Sequence, residues 1–380
     1  MINELIKFIR DTYKTNEFIG LHEPSFKGNE LSYVTDAIKS TYVSSIGKYV
    51  KEFEIGIEKY TSSLGAVSTV NGTAALHASL HVAGVKAGDI IITQSLTFVA
   101  TCNAIHHIGA EPAFVDVSKS TMGLCPKALE IFLEENAFLD EDGSYLKFSN
   151  KRIRAVIPMH TYGHPVELDE IIMICNKWKL ALIEDAAESL GSFYKGKHTG
   201  TFGAFGALSF NGNKVITTGG GGMVLCSSKD TRNTVKHVTT TAKIEHPYEF
   251  FHDVVGFNYR MPNINSALGV GQLESLNDKL IKKRKLAMHY KAFFHDSDYV
   301  FFDEPVNTKS NFWLNTIVAP NLDSRNMILK RSNELGVMMR PVWHPMHKLP
   351  PFKDCIKGDL RQTEWFESRV INIPSSPVDL

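Results

Sequence analysis

One lysine, Lys214, lies in a polar turn between an apolar segment that ends at Phe210 and four consecutive glycines, residues 219–222. The glycines are not a P-loop, because the lysine precedes them, and they do not open a helix as a dinucleotide-binding motif does. Glycines instead allow close backbone approach and unusual backbone angles. A lysine beside them is suited to bonding to a carbonyl carbon, because its amine can be shielded from water. The alternative is an ordinary solvated charge.

The segment NGTAAL (residues 71–76) follows an apolar segment and opens a helical pattern. Amide groups at a helix start point outward, and the helix dipole favours an anion there. Gly72 lets a ligand approach the backbone, and Thr73 adds a hydroxyl donor. The segment therefore predicts either a phosphate site or a helix that is simply capped by Asn71 and Thr73.

Two carboxylates, Glu184 and Asp185, end another apolar segment, and a carboxylate at such a position needs a partner. A pyridinium nitrogen would be one, since an aspartate keeps it protonated and lets the ring accept electrons. A helix cap or a metal ligand are the alternatives. Phe98 follows a further strand-like segment and predicts either stacking on a planar ring or core packing.

Short apolar segments separated by helical patterns must position these side chains. The predicted strands are residues 66–70, 89–93, 112–116, 154–158, 181–184, 207–210 and 223–226, and the predicted helices between them include residues 74–85, 98–108 and 168–178. This alternation indicates a mostly parallel sheet with helices on both faces. A ligand in such a sheet binds at the carboxyl ends of the strands.

The pattern changes after about residue 255. A long amphipathic helix is predicted at residues 263–288, followed by strands at 311–318 and 338–342 around a helix near 325–335. We therefore predict a large domain, residues 1–255, and a smaller C-terminal α+β domain, residues 256–380. The charged segment 135–152 is expected to be a solvated, irregular insertion.

Composition excludes several classes of function. Lys plus Arg equals Asp plus Glu, 41 each, so no net charge attracts nucleic acid or an anionic membrane. Five cysteines without a CxxC pair argue against a disulfide framework or a zinc site, and they fit a reducing cytoplasm. The N-terminus lacks the apolar stretch of a signal peptide, and no run is long enough to span a membrane.

Four segments in this chain order, NGTAAL, LTFVATCNAI, IEDAAESLG and LSFNGNKVITTGGGGM, resemble the DegT/DnrJ/StrS family of nucleotide-sugar aminotransferases. The resemblance extends from LHEPSFKGNE through NYRMPNINSALG to RPVWHPMH, nearly the whole chain. It implies the aspartate-aminotransferase-like α/β fold (PLP fold type I): a large domain with a mostly parallel sheet and a smaller C-terminal α+β domain. It also implies the cofactor pyridoxal 5′-phosphate (PLP).

The resemblance also assigns roles to individual residues. It implies that Lys214 is the Schiff-base lysine and proton carrier. The other matched positions are Gly72, Thr73, Ala74 and Ser209 at the phosphate, Asp185 at the pyridine nitrogen, Phe98 on the ring, Glu188 near the 3′-oxygen, and Asn258 reaching the phosphate of a second subunit. Many members have glutamine or histidine where this chain has Glu188, so a carboxyl group there is expected to be protonated or bridged by water. Asn258 implies a homodimer with shared sites.

The implied reaction moves the amino group of glutamate to a 4-keto-6-deoxy sugar carried on a nucleotide, for bacterial surface glycans. The segments SFNGNKVITTGGGGM, HTYGHP and TTTAK resemble members that use UDP-linked sugars for legionaminic acid or bacillosamine-type glycans. A dTDP- or GDP-linked sugar is the alternative, as is a sugar dehydratase, against which Lys214 argues. Candidate substrate residues are His160, Arg260, Ser44 and His344. His160 could equally be a structural histidine, and Arg260 could hold a donor carboxylate or the subunit interface.

Overall fold

The computed structural model describes all residues, 1–380. The helices are α1 (Ile2–Tyr13), α2 (Glu30–Lys39), α3 (Lys48–Thr61), α4 (Gly72–Val82), α5 (Val99–His107), α6 (Pro126–Asn136), α7 (Leu168–Lys177), α8 (Lys229–Thr239), α9 (Asn263–Glu274), α10 (Leu276–Phe293), α11 (Leu322–Glu334) and α12 (Arg361–Glu367). Short 3₁₀ helices cover Thr161–Gly163, Met346–Lys348 and Pro350–Phe352.

The strands are β1 (Gly65–Thr69), β2 (Ile90–Gln94), β3 (Glu111–Val115), β4 (Ala137–Leu139), β5 (Ser144–Leu146), β6 (Arg152–Ile157), β7 (Ala181–Asp185), β8 (Phe193–Tyr194), β9 (Lys197–His198), β10 (Phe205–Ser209), β11 (Gly222–Cys226), β12 (Lys243–Ile244), β13 (Phe251–His252), β14 (Val300–Phe301), β15 (Thr308–Lys309), β16 (Asn315–Val318), β17 (Arg340–Pro341) and β18 (Val370–Ile373).

The large sheet has the strand order β1-β11-β10-β7-β6-β2-β3. Strands β10, β7, β6, β2 and β3 run parallel to one another, whereas β11 runs antiparallel to both β1 and β10. One face of the sheet packs against α4, α5 and α8, and the other packs against α6 and α7. The predicted mostly parallel α/β sheet, covered on both faces, is confirmed.

A second, antiparallel sheet has the order β14-β16-β18-β17. Apolar residues of α10, α11 and the N-terminal helix α1 share its core, among them Leu5, Ile9, Leu286 and Ile328. The division into residues 1–255 and 256–380 stays a prediction. The packing of α1 shows that the start of the chain shares a core with C-terminal elements.

Two local predictions differ from the structure. The helix predicted at residues 263–288 is two helices, α9 and α10, which meet at Ser275. Residues 135–152 are not simply irregular, because β4 and β5 form a hairpin whose second strand pairs with β6. None of the helices is both long and apolar enough to cross a membrane.

Candidate active site

Loops that follow β1, β2, β7 and β10 surround a cavity of about 230 Å³. Most of the predicted cofactor residues line it, namely Gly72, Thr73, Phe98, Asp185, Glu188, Ser209 and Lys214. These residues come from four separate segments. The sheet brings them together because the carboxyl ends of its parallel strands lie along one edge.

The start of α4 forms one wall of the cavity. The side chain of Asn71 caps the helix, its Oδ1 accepting the N–H of Ala74 at 2.7 Å. The first amides of a helix have no acceptor within it. The cap thus occupies the amide of Ala74, which does not line the cavity, and Gly72 and Thr73 supply the wall. Ala74 was predicted to bind phosphate directly, and this cap is the physical reason to assign that contact to its neighbours.

Glycines are required where the strands approach this wall. A Cβ atom on Gly72 would lie 3.0 Å from the Cβ and 3.3 Å from the Oγ of Ser209. A Cβ atom on Gly222 would lie 2.4 Å from the carbonyl oxygen of Asn71. Ser209 therefore adds a hydroxyl beside the helix start, and the glycine run lets β11 pass behind it. We call Gly72, Thr73 and Ser209 the anion cradle.

Asp185 lines the cavity from the end of β7. Its Oδ2 accepts the hydroxyl of Thr101 at 2.6 Å, and its Oδ1 accepts the N–H of Ala187 at 3.1 Å. Burial raises the pKa of Asp185, although these two hydrogen bonds oppose the shift. A cation placed in the cavity would favour the ionised form. Phe98 also lines the cavity, with 48% of its surface exposed, and so presents an aromatic ring to a ligand.

Lys214 reaches the cavity from the turn after β10. Its side chain is 13% exposed, its Nζ lies 4.0 Å from the ring centre of Trp313, and Oε1 of Glu188 lies 3.3 Å from Nζ. The indole Nε1 of Trp313 donates to the carbonyl of Asn213 at 2.7 Å. Trp313 therefore both shields the amine from water and holds the turn that carries it.

Glu188 is nearly fully buried beside this amine. Its Oε2 accepts the N–H of Tyr162 at 2.9 Å. Burial raises the pKa of Glu188 to about 7, against the opposing charge of Lys214. Such a carboxyl group exchanges its proton near neutral pH.

His160 is a structural residue rather than a substrate contact. Its side chain is fully buried, Nε2 lies 3.0 Å from Oε2 of Glu184, and Nδ1 accepts the N–H of Val166 at 3.2 Å. His160 does not line the cavity. The prediction that it touches substrate is therefore corrected, because both ring nitrogens already have partners.

The remaining predicted residues lie outside the cavity of a single chain. Asn258 is exposed, and its backbone pairs with Thr240. Arg260 is half-buried, and its backbone pairs with Thr69 next to the anion cradle. Ser44 is exposed, and its carbonyl accepts the N–H of Asn263. The roles of these residues stay predictions.

His344 lies at a second cavity of about 500 Å³, which shares Phe98, Asn213, Trp313 and Trp343 with the first. The His344 side chain is 82% exposed. A ligand that fills the first cavity and extends outward would pass this histidine. His344 therefore stays a candidate for substrate contact.

Sequence reasoning missed several residues of the site. Trp313 and Trp343 line the cavity but belong to the C-terminal part of the chain, and no local pattern links them to Lys214. Thr101 was also missed, although a signal existed: it follows Phe98 by three residues and therefore lies on the same face of α5.

The side chains present fit PLP. The anion cradle suits a phosphate, the carboxylate of Asp185 suits a protonated ring nitrogen, Phe98 suits the face of a planar ring, and the amine of Lys214 suits an aldehyde. No group of three or more His, Cys, Asp or Glu side chains is placed so that it could hold a metal ion.

Comparisons with known proteins place the chain among aminotransferases. The model of the DegT/DnrJ/EryC1/StrS aminotransferase family matches residues 24–378. EpsN of Bacillus subtilis (strain 168) is 37% identical over 89% of this chain and 84% of its own length. GDP-perosamine synthase of Escherichia coli O157:H7 is 34% identical over 95% of this chain and 94% of its own. The crystal structure of a DegT DnrJ EryC1 StrS aminotransferase from Brucella abortus superposes with a TM-score of 0.82 at 25% identity, over 92% of this chain and 90% of that one.

Proposed function

The chain belongs to the DegT/DnrJ/EryC1/StrS aminotransferase family, and we propose that it uses PLP to move the amino group of glutamate to a nucleotide-linked 4-keto-6-deoxy sugar. One observation carries the proposal: a shielded lysine amine, a buried carboxylate and a helix start line the same cavity. A phosphorylated aldehyde with a basic ring nitrogen matches all three groups at once.

PLP, when bound, supplies an aldehyde carbon that takes over an amino group and a ring that accepts an electron pair. The anion cradle would hold its phosphate, and Asp185 would keep its ring nitrogen protonated. Phe98 would cover one face of the ring. Lys214 would hold the aldehyde carbon between turnovers.

The protein's own groups handle the proton. The amine of Lys214 lines the cavity and would be the base that takes a proton from one reacting carbon atom and returns it to another. The ring of Trp313, 4.0 Å from Nζ, excludes water from one side of the amine. Asn213 holds the turn through its bond to Trp313, so the amine keeps its position while the proton moves.

Two arguments differ on the nucleotide of the acceptor. The motifs of this chain resemble members that act on UDP-linked sugars of the legionaminic acid and bacillosamine branch. The 34% identity to GDP-perosamine synthase supports a GDP-linked sugar. We propose a nucleoside diphosphate sugar, with the GDP-linked form as the first acceptor to be tested and the UDP-linked form as the second.

We also propose that the working protein is a homodimer in which Asn258 of each subunit completes the partner's anion cradle. Several large apolar side chains close to Asn258 in the sequence are exposed, namely Tyr248, Phe250, Phe251, Val254 and Val255. Several large apolar side chains exposed within one short segment favour an interaction site there. Sedimentation of the wild type and of an Asn258→Ala variant tests the dimer separately from the shared site, since the variant is expected to remain dimeric and to bind PLP less tightly.

Covalent attachment of the cofactor to the protein gives a direct test. The purified protein is expected to be yellow, and borohydride is expected to fix PLP to Lys214, as mapped by peptide mass spectrometry. A Lys214→Ala protein that still gave a covalent adduct would contradict the assignment.

The acceptor is tested by incubation with glutamate and a panel of GDP-, UDP- and dTDP-linked 4-keto sugars, with release of 2-oxoglutarate as the readout. Turnover with one nucleotide identifies the acceptor. Absence of turnover with every sugar would reject the sugar substrate and leave the cofactor assignment standing.

A further inference from the structure

Glu188 and Lys214 form a buried pair in which only one carboxylate oxygen is pinned. The N–H of Tyr162 occupies Oε2 at 2.9 Å, whereas Oε1 faces Nζ of Lys214 at 3.3 Å. Tyr162 has a left-handed backbone, with φ of 55° and ψ of 17°. Such a conformation is costly for a bulky residue and is kept only where the surroundings require it. Here it presents the amide of Tyr162 to Glu188.

The other groups near Lys214 are less well placed to take its proton. Asp185 makes no hydrogen bond or ion pair with Nζ of Lys214, whose charged partner is Glu188; the Asp185 oxygens accept from Thr101 and Ala187 instead. Burial, together with the charges of Lys283, Lys279 and Lys214, holds the pKa of His22 far below its usual range. The aromatic face of Trp313 accepts no proton. Oε1 of Glu188 is therefore the acceptor that remains.

The charges that face Glu188 come from three elements. Lys214, from the turn after β10, favours the ionised carboxylate, and the N–H of Tyr162 also favours it. Asp185, from the end of β7, opposes it, and burial opposes it more strongly. The pair therefore contains a carboxyl group whose proton affinity lies close to neutral pH, next to an amine that must become neutral to react.

We propose that Glu188 is a second catalytic acid–base residue, whose Oε1 takes the proton that Nζ of Lys214 must lose before the amine can bond to a carbonyl carbon. One N–H bond of Lys214 breaks, one O–H bond of Glu188 forms, and the two opposite charges disappear together. The lone pair left on Nζ is then free to attack. The reverse transfer restores the ion pair when Lys214 leaves the carbonyl carbon.

Burial favours this transfer. An ion pair away from water has lost the solvation of both charges, whereas a neutral acid beside a neutral amine loses far less. A proton that moves within the pair also needs no exchange with solvent. This role rests on the proposed function, because a neutral amine is useful only at a site where Lys214 reacts with a carbonyl group.

The test measures the neutral amine itself, without cofactor. Protein freed of PLP is labelled with trace acetic anhydride from pH 6 to 10, and acetylation of Lys214 is followed by mass spectrometry against exposed Lys51. If the proton moves within the pair, the ratio of ion pair to neutral pair does not depend on pH. The acetylation rate of Lys214 in the wild type is then expected to be independent of pH over at least about one pH unit above pH 7, near the pKa of Glu188. We call this pH range the level region.

Glu188→Gln removes the acceptor but keeps an amide oxygen for the N–H of Tyr162. Its labelling rate is expected to rise about tenfold per pH unit until the amine is fully neutral. Glu54→Gln is the matched control. Glu54 is also a nearly buried glutamate paired with a lysine, Lys236 at 3.0 Å, but it does not line the cavity, so this variant is expected to keep the level region.

Two results would overturn the proposal: a tenfold rise per pH unit in the wild type, or a level region that persists in Glu188→Gln. A folded Glu188→Gln protein, checked by its thermal melting curve, excludes an effect of misfolding. The 2-oxoglutarate assay separates the two hypotheses. Amino transfer without a level region would reject the role of Glu188 alone, whereas a level region without any amino transfer would reject the proposed function.

Discussion

Glu184 and Asp185 are neighbours at the end of β7 and both are buried, yet their surroundings differ. Glu184 accepts hydrogen bonds from His160 and from the N–H groups of Gly200, Phe202 and Gly203. Asp185 accepts two and faces a cavity. We call Glu184 the closed carboxylate, and Asp185 and Glu188 the open carboxylates.

The pKa values follow this difference. Burial raises the pKa of Glu184, but the hydrogen bonds and charge of His160 and the N–H groups of Gly200 and Gly203 outweigh it, so the pKa is lowered overall. Burial dominates at Asp185 and Glu188, and both pKa values are raised. A buried carboxylate is therefore no sign of chemistry by itself. Hydrogen-bonding capacity that remains unused beside a cavity is the better sign.

Removal of the Lys214 amine, which lies in the same cavity as the open carboxylates, is expected to have the largest effect. Lys214→Ala should lower the rate of amino transfer by about 10⁴-fold, because both the attachment point and the proton carrier are lost. Single-turnover release of 2-oxoglutarate measures it. Lys195→Ala, which changes a surface lysine paired with Asp169, should leave that rate unchanged.

Asp185→Asn should come next, with a loss of roughly 10²- to 10³-fold in kcat, because a neutral amide cannot keep a ring nitrogen protonated. The melting temperature should change little, since the amide still accepts the hydroxyl of Thr101. Steady-state kinetics and thermal denaturation measure the two quantities. A loss of stability without a loss of kcat would place Asp185 among the closed carboxylates.

Glu184→Gln should lower stability and leave kcat unchanged, the reverse of the result expected for Asp185→Asn. It removes the charge that His160 and three backbone N–H groups surround, so the free energy of unfolding should fall by about 3 kcal/mol. The kcat of the protein that remains folded should stay near the wild-type value. Urea denaturation and active-site titration with borohydride measure these quantities, and a specific loss of kcat would contradict the comparison.

Thr101→Val should have a moderate effect on the open carboxylate that it contacts. Loss of one hydrogen bond to a charged group is expected to lower kcat about tenfold and to raise the pKa of Asp185 further. Thr239→Val is the matched control, because Thr239 is a buried threonine whose hydroxyl bonds to the carbonyl of Val235 in α8. That variant should lose stability but keep kcat.

The smallest expected effect is on the pH dependence of stability. The folded pKa of Glu188 lies above its unfolded value, so its contribution is complete below the unfolded pKa of about 4.3 and is lost as the pH rises toward about 7. Glu188→Gln should lack this decline. Glu184 has a lowered pKa, so its contribution is present above the unfolded pKa and is lost as the pH falls through the folded one. Urea midpoints from pH 3 to 8 distinguish the two slopes.

The sequence predicted the strands of the large sheet better than the walls of the site. Each predicted strand of that sheet overlaps an observed one, because a strand buried on both faces is a short continuous apolar run. Lys214, Asp185 and Gly72 were found because each follows such a run. Without the family resemblance, the residue pattern did not separate Glu184 from Asp185, since the N–H groups that close Glu184 come from a later loop, residues 200–203.

The C-terminal contributions could not be predicted in the same way. Trp313 lies two residues before β16 of the second sheet, and its contact with Lys214 depends on how the two sheets pack. His160 was a candidate because it follows β6. Its burial and its two hydrogen-bond partners arise only from the tertiary structure, so the sequence did not reveal them. The break between α9 and α10 at Ser275 was hidden because residues 272–278 contain no proline or glycine that would mark a helix end.

The antiparallel strand β11 has a consequence for synthesis of the chain. β1 joins the large sheet only through β11, whose residues 222–226 are made long after β1. On the ribosome, β1 and the helix start at Gly72 therefore have no sheet partner until residue 226 has emerged from the exit tunnel. Pairing across such a separation is slow, and the unpaired edge is open to association with other chains in the meantime. A nascent chain that stops before β11 would thus contain Lys214 but no assembled cradle.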